Sequence, residues 1–173
     1  MTVLLVRHGE TTWNVEERIQ GWAGAPLSGR GREQARATGS YLADVGVDRL
    51  VVSDLQRTQE TAHLVAEGGL DTDPSYERGW RERDFGDVQG LDHAVAAERF
   101  SDHDPDASLT AVEDVPGAAV VTHGGPIRAV VAAVTNRPMA DLAREWSPAN
   151  CGVTELDVAG EPRLVRRNDT GHL

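Results

Sequence analysis

The chain has 173 residues, enough for one domain with a core that needs no disulfide or metal staple. Its 17 basic residues, all arginine, face 28 acidic ones for a net charge of −11, a balance that argues against nucleic acid or an anionic membrane as the main partner. The single cysteine, Cys151, excludes an internal disulfide framework, and no run of 18 apolar residues is present to span a membrane.

Residues 2–6 form a continuous apolar run of β type, the pattern of a strand buried on both faces in a parallel sheet. The run lacks the charged start and cleavage site of a signal peptide, so a cytoplasmic location is expected. It ends at Arg7-His8-Gly9. Ser28 reads as an N-cap, and a helix is expected over residues 29–45, with Ala35, Leu42 and Val45 on one stripe and Gly46 past its end. A short strand follows over residues 50–52, ending at Ser53-Asp54, then a helix over residues 55–66 stopped by Gly68-Gly69. Residues 76–90, rich in charge and glycine, read as a functional loop. A helix is expected over residues 91–100, and residues 101–106 are acidic and irregular. A third buried strand spans residues 118–122 and ends at His123-Gly124-Gly125-Pro126; an apolar helix follows over residues 127–134, with Pro126 suited to its first turn. Residues 153–158 and 163–166 read as strands joined by a turn at Gly160. This alternation defines an α/β fold: a three-layer sandwich with a mostly parallel central sheet flanked by helices, in a single domain over residues 1–173.

Three apolar strands thus end in Arg7-His8-Gly9, in Ser53-Asp54 leading to Arg57, and in His123-Gly124. Ligands of open α/β sheets sit at the carboxyl ends of strands, so Arg7, His8, Arg57 and His123 are expected to converge. Two guanidiniums match phosphate oxygens, and backbone N–H groups at helix starts complete an anion site. An imidazole held in one tautomer can act as a covalent nucleophile, and a leaving alcohol needs a nearby acid.

The stretch LVRHGETTWN, residues 5–14, resembles the signature of the histidine phosphatase superfamily, in its phosphoglycerate-mutase-like branch. SDLQRTQETA (53–62), WRERDFGDVQG (80–90) and VTHGGPIR (121–128) resemble the family's further motifs, in the family's order. The resemblance implies that His8 is the nucleophile and becomes phosphorylated. It implies that Arg7, Arg57 and His123 hold the phosphoryl oxygens, with Asn14 and Gly124 as supporting contacts, and that Glu82 is the general acid and then the base. Asp84, Asp87 and Glu77 are alternative donors in the same loop, and Asn14 has the alternative of ordering the loop after the first strand. No metal and no organic cofactor is implied, and none of His63, His93, His103 and His172 has metal-site spacing. Cys151 lacks the downstream arginine of a cysteine phosphatase. The four tryptophans, Trp13, Trp22, Trp80 and Trp146, are expected to pack in the core or dock helices.

The chain departs from the family pattern between Gly90 and Ala118. Only 27 residues intervene, the usual Gly-Gly-Glu-Ser stretch is missing, and residues 109–115 offer two helical turns at most. Residues 91–117 are therefore read as a shortened cap or substrate segment. Mutases of the family enclose their substrate under longer caps, so a trimmed chain favours water and hydrolysis of the phosphohistidine. The expected activity is phosphomonoester hydrolysis on a small phosphorylated metabolite. A phosphoglycerate mutase is the alternative within the enzymes, and a catalytically idle phosphate-binding module the alternative outside them. Retention of both a nucleophile and an acid speaks against the idle module. A monomer or a homodimer is expected. The arginine-only acidic composition fits either a GC-rich genome or adaptation to high salt, where screening removes self-repulsion.

Overall fold

The computed structural model describes residues 1–92 and 115–173. Of the expected helix over residues 91–100, Leu91 is in a bend and Asp92 bridges to Arg18 rather than being helical; its remaining residues, the irregular stretch 101–106 and most of the short segment 109–115 lie outside these described residues. Strands β1 (Thr2–Arg7), β2 (Leu50–Val52), β3 (Pro74–Tyr76), β4 (Ala119–Thr122), β5 (Val153–Asp157) and β6 (Arg163–Asp169) form one sheet in the order β3-β2-β4-β1-β5-β6. The first four run parallel, β5 pairs antiparallel with β1, and β6 pairs antiparallel with β5.

The apolar runs are continuous because both faces of the sheet are covered. Side chains alternate across a strand. Val3 and Leu5 of β1, with Val51, Val120 and Leu156, pack beside Ile127 and Val130 of helix α4 (Gly124–Val134). Leu4 and Val6, with Leu50, Val52, Ala119, Val121 and Val153, pack beside Leu42 of α2 (Gly29–Asp44) and Ala62 and Val65 of α3 (Gln56–Glu67). Helix α1 (Thr12–Val15) follows β1, and α5 (Met139–Glu145) packs on α4 through Leu142.

The expected elements appear with small shifts. Helix α2 starts on Ser28, whose side chain accepts from the Gly31 N–H, and ends one residue early. Val45 is its exposed C-cap and does not join the stripe of Ala35 and Leu42. Helix α4 begins at Gly124 because His123 is its N-cap, and β6 runs on to Asp169. The stretch 76–90 is more ordered than a loop. Tyr76 ends β3, and two 3-10 turns follow, Arg78–Trp80 and Gly86–Val88. Of the tryptophans, Trp80 is buried in the core and Trp22 is exposed.

Register places the functional strand ends side by side. Arg7 pairs with Thr122 and Val52 with Val121, so His8, His123 and Ser53 leave the sheet at one edge. The loop after His8 then lies against the start of α2. The Ser28 N–H donates to the Glu10 carbonyl at 2.8 Å and the Ser28 hydroxyl to the Glu10 carboxylate at 2.7 Å. This approach needs a glycine at position 31, where a Cβ would lie 2.0 Å from the Glu10 carbonyl oxygen. Because that oxygen is backbone, Gly31→Ala is expected to cost about 2–3 kcal/mol in urea denaturation. A midpoint within the error of the parent would show that the contact does not constrain the loop.

Candidate active site

His8 and His123 are buried at the carboxyl ends of β1 and β4, with ring centroids 5.4 Å apart and planes tilted by 56°. The Nδ1 of His8 lies 2.8 Å from the Gly9 carbonyl oxygen. A carbonyl only accepts, so Nδ1 carries the proton and Nε2 keeps its lone pair. The Nε2 of His123 lies 2.7 Å from the Ser53 hydroxyl, while its buried Nδ1 has no partner among the described residues.

Two arginines flank the imidazoles. Arg57, on the first turn of α3, is 2% exposed and donates to the carbonyls of Gly21 at 2.7 Å and Ala23 at 3.3 Å. Arg7 donates to the Pro148 carbonyl at 2.5 Å. The Nε of each arginine is buried and has no hydrogen-bond partner among the described residues. Burial lowers both guanidiniums to about 10, partly offset by the negative charge of Glu82. Burial, reinforced by Arg57 and Arg7, holds His8 well below its ordinary value. The same causes, with His8 itself added, hold His123 low.

Glu82 sits opposite. Its Oε2 accepts from the Gly125 N–H at 3.0 Å, at the N-terminus of α4, and its Oε1 accepts from the Arg83 N–H at 3.0 Å. A Cβ on residue 125 would lie 2.1 Å from Oε1, so a glycine there is what admits the carboxylate. The segment bearing Glu82 is pinned on both sides. Arg81 forms a bidentate pair with Asp54 at 2.5 and 2.7 Å and lies 4.7 Å over the Trp22 ring, and the Trp22 indole N–H donates to the Glu82 carbonyl at 2.7 Å. Before Glu82, the Thr122 hydroxyl donates to the Trp80 carbonyl at 2.6 Å.

These groups share a cavity of about 280 Å³ lined by Arg7, His8, Asn14, Arg57, Glu82 and Gly124, with Arg18, Gln20 and Arg128 among its further walls. Of the residues expected from sequence, His123 alone is not on the wall; it lies buried beside His8. The carbonyl oxygen of the Asn14 side chain is committed to the cap of α1 and accepts from Thr11 and from Asn150. Asn14 thus orders the loop after β1 and also faces the cavity. The alternative donors Asp84, Asp87 and Glu77 do not line this cavity.

Sequence reasoning does not find Ser53, the Asp54–Arg81 pair or Arg128. Arg128 follows Gly124 by four residues, one helical turn, so helical spacing offers a signal for it. The pairing of Asp54 with Arg81 joins positions 27 apart and has no local signature. Cys151 is buried, and burial pushes its thiol up to about 12. His63 is exposed beside Glu67, and His172 is stacked on Tyr41. Among the described residues, no group of three or more His, Cys, Asp or Glu side chains is placed to hold a metal, and no helix is long and apolar enough to cross a membrane.

A family model for the histidine phosphatase superfamily, branch 1, matches residues 3–115 and 107–170, and the chain belongs to that superfamily. Among its relatives is a probable phosphoglycerate mutase of Cronobacter sakazakii, 30% identical over 196 aligned positions that cover 95% of this chain and 88% of the relative. An uncharacterized phosphatase of Bacillus subtilis is 39% identical over 101 residues, covering 58% of this chain and 52% of the relative. Among solved structures, a mycobacterial glucosyl-3-phosphoglycerate phosphatase complexed with VO3 superposes with a TM-score of 0.82 at 28% identity, covering 98% and 99% of the two chains. A phosphoserine phosphatase of Entamoeba histolytica, in complex with 3-phosphoglyceric acid, superposes at 0.84 with 25% identity, covering 99% and 98%.

The depressed imidazoles set a pH dependence of stability. Unfolded histidine binds a proton near pH 6.5, whereas folded His8 and His123 do so only well below it. The unfolded state therefore binds more protons below about pH 6.5, and stability falls as pH falls. Each histidine adds a slope of up to about 1.4 kcal/mol per pH unit in that window. Urea midpoints measured from pH 7.5 to 5 are expected to drop, and less steeply in His123→Asn. An unchanged slope in that variant would contradict the assignment of His123.

Proposed function

We propose that this chain hydrolyses small phosphomonoesters through a phosphohistidine on Nε2 of His8. The observation that carries this reading is the state of the His8 ring. It is buried and held unprotonated, its Nδ1 proton is fixed on the Gly9 carbonyl, and it stands beside two arginines whose Nε donors have no partner among the described residues. The phosphatases among the structural neighbours support it.

The geometry supports the following roles. Arg7 and Arg57 donate their Nε groups to phosphoryl oxygens and stabilise the charge that spreads over them during in-line transfer. With the Ser53 hydroxyl donating to Nε2, the His123 ring carries its proton on Nδ1, a further donor to the phosphoryl group. Gly124 and the amide of Asn14 complete the wall. His8 Nε2 attacks phosphorus, the ester P–O bond breaks, and Glu82 gives its proton to the departing alkoxide. Glu82, now a carboxylate, takes a proton from water. The water oxygen attacks phosphorus, the P–N bond breaks, and phosphate and neutral His8 are regenerated. The guanidiniums supply the positive charge that a metal would otherwise provide, so the proposed reaction is metal-independent.

We also read residues 91–117 as a shortened cap within a single domain. The alignment with the Cronobacter relative is longer than the whole 173-residue chain, so that relative has residues without a counterpart here. A small cap leaves the phosphohistidine open to water. The mutase reading rests on that same relative, and it predicts phosphate exchange between positions with little release.

Phosphate release from 4-nitrophenyl phosphate and 3-phosphoglycerate, with and without a chelator, separates these readings. Release is expected to persist with chelator and to fall by about a thousandfold or more in His8→Ala. Isomerisation of 3-phosphoglycerate without release would favour the mutase. Turnover by neither route, from folded protein, would favour the idle binder.

A further inference from the structure

Arg128 is a cation that the proposed chemistry does not use. It lies on α4, lines the cavity and has a buried Nε. Among the described residues no hydrogen bond or ion pair engages it. Its Nη2 and the Nε of Arg7 each lie 4.0 Å from the point where a side chain on Gly124 would begin, so the two guanidiniums flank one glycine on the cavity wall. Arg18, the other additional arginine of the wall, is paired with Glu16 at 2.9 Å.

The charges around a bound phosphoryl group do not balance without a partner for Arg128. A phosphomonoester brings about −1.5 to −2. Arg7 and Arg57 match that charge, and both imidazoles are neutral. Glu82 must be protonated at the moment it serves as acid, so it then offers no negative charge. The positive charge of Arg128 remains, in a walled site where an unmatched charge is costly.

We infer that Arg128 recognises a carboxylate on the substrate, next to the phosphoryl site, and so selects phosphorylated carboxylic acids. A guanidinium fork fits a planar carboxylate in two parallel hydrogen bonds, and one carboxylate supplies the one charge required. A second phosphoryl group would bring more negative charge than a single guanidinium balances. Because Arg128 and Arg7 flank the same glycine, the carboxylate must sit only a few bonds from the phosphate ester. This inference rests on the phosphomonoesterase reading.

Two matched substrate pairs test it: 3-phosphoglycerate against glycerol 3-phosphate, and phosphoserine against phosphoethanolamine. The readout is the ratio of kcat/KM within each pair. The parent protein is expected to prefer the carboxylated member by about tenfold or more, the worth of a charged hydrogen-bonded contact. The ratio is expected to collapse towards one in Arg128→Ala and in Arg128→Gln, chiefly through KM, and to recover in part in Arg128→Lys. The glutamine variant keeps the bulk of the side chain should the alanine variant fold poorly. No preference in the parent protein, or a preference that survives both substitutions, would overturn the inference. Absence of release from 4-nitrophenyl phosphate would instead signal failure of the phosphatase reading. Calorimetric binding of 3-phosphoglycerate and glycerol 3-phosphate to His8→Ala then gives the ratio without turnover. A preference for 3-phosphoglycerate that disappears when Arg128→Gln is added supports the inference, and equal binding of the two overturns it.

Discussion

Two arginines, Arg57 buried and Arg7 with its Nε buried, beside two neutral imidazoles are the constraint around which this protein is arranged. Taking Arg7 and Arg57 out of water is costly, and the pair repel each other and the protonated forms of both histidines. Backbone carbonyls of Gly21, Ala23 and Pro148 satisfy some guanidinium donors, and Glu82 supplies opposite charge. The Nε of each arginine and the Nδ1 of His123 are left without a partner among the described residues. In the proposed reaction these are the donors assigned to the phosphoryl oxygens. The field that favours an anion also keeps the His8 ring unprotonated, which is the form a nucleophile needs.

The fold makes this arrangement possible. The parallel register of β1, β4 and β2 delivers His8, His123 and Ser53 to one edge without help from long loops. Helix α3 then begins at Gln56, so Arg57 enters from its first turn, and α4 begins where β4 ends, so its Gly125 N–H meets Glu82. Glu82, the proposed acid, comes from a non-regular segment. It therefore needs its own supports: the Asp54–Arg81 pair, the Trp22 indole and the hydroxyl of Thr122. These contacts hold a carboxylate against a helix start, where the backbone dipole favours negative charge.

Much of this is legible in the sequence because the signals are local. The apolar run of residues 2–6 declares a strand buried on both faces, Ser28 declares a helix start, and polar residues directly after each strand declare a site at the sheet's edge. Val45 departs from its expected place because hydrophobicity at a helix end does not require burial when a cap follows. β3 escapes a sequence reading because Pro74-Ser75-Tyr76 carries no strand pattern; its pairing with β2 is what makes it a strand. The partners of Glu82 and the place of Arg128 on the cavity wall depend on how distant segments meet, and no spacing rule encodes them. Asn14 shows two uses of one side chain, its oxygen in the cap of α1 and its place on the cavity wall, where the sequence offers these as alternatives.

The most direct test of a covalent role for His8 is to trap the phosphoenzyme. Protein mixed with a fast-reacting aryl phosphate and quenched at alkaline pH can be examined by 31P NMR and by peptide mapping. A base-stable, acid-labile phosphoryl group on Nε2 of His8, lost on further incubation with water, is the expected result. A phosphoryl group on another side chain or on Nδ1, or steady turnover with no adduct on His8, would contradict the nucleophile assignment.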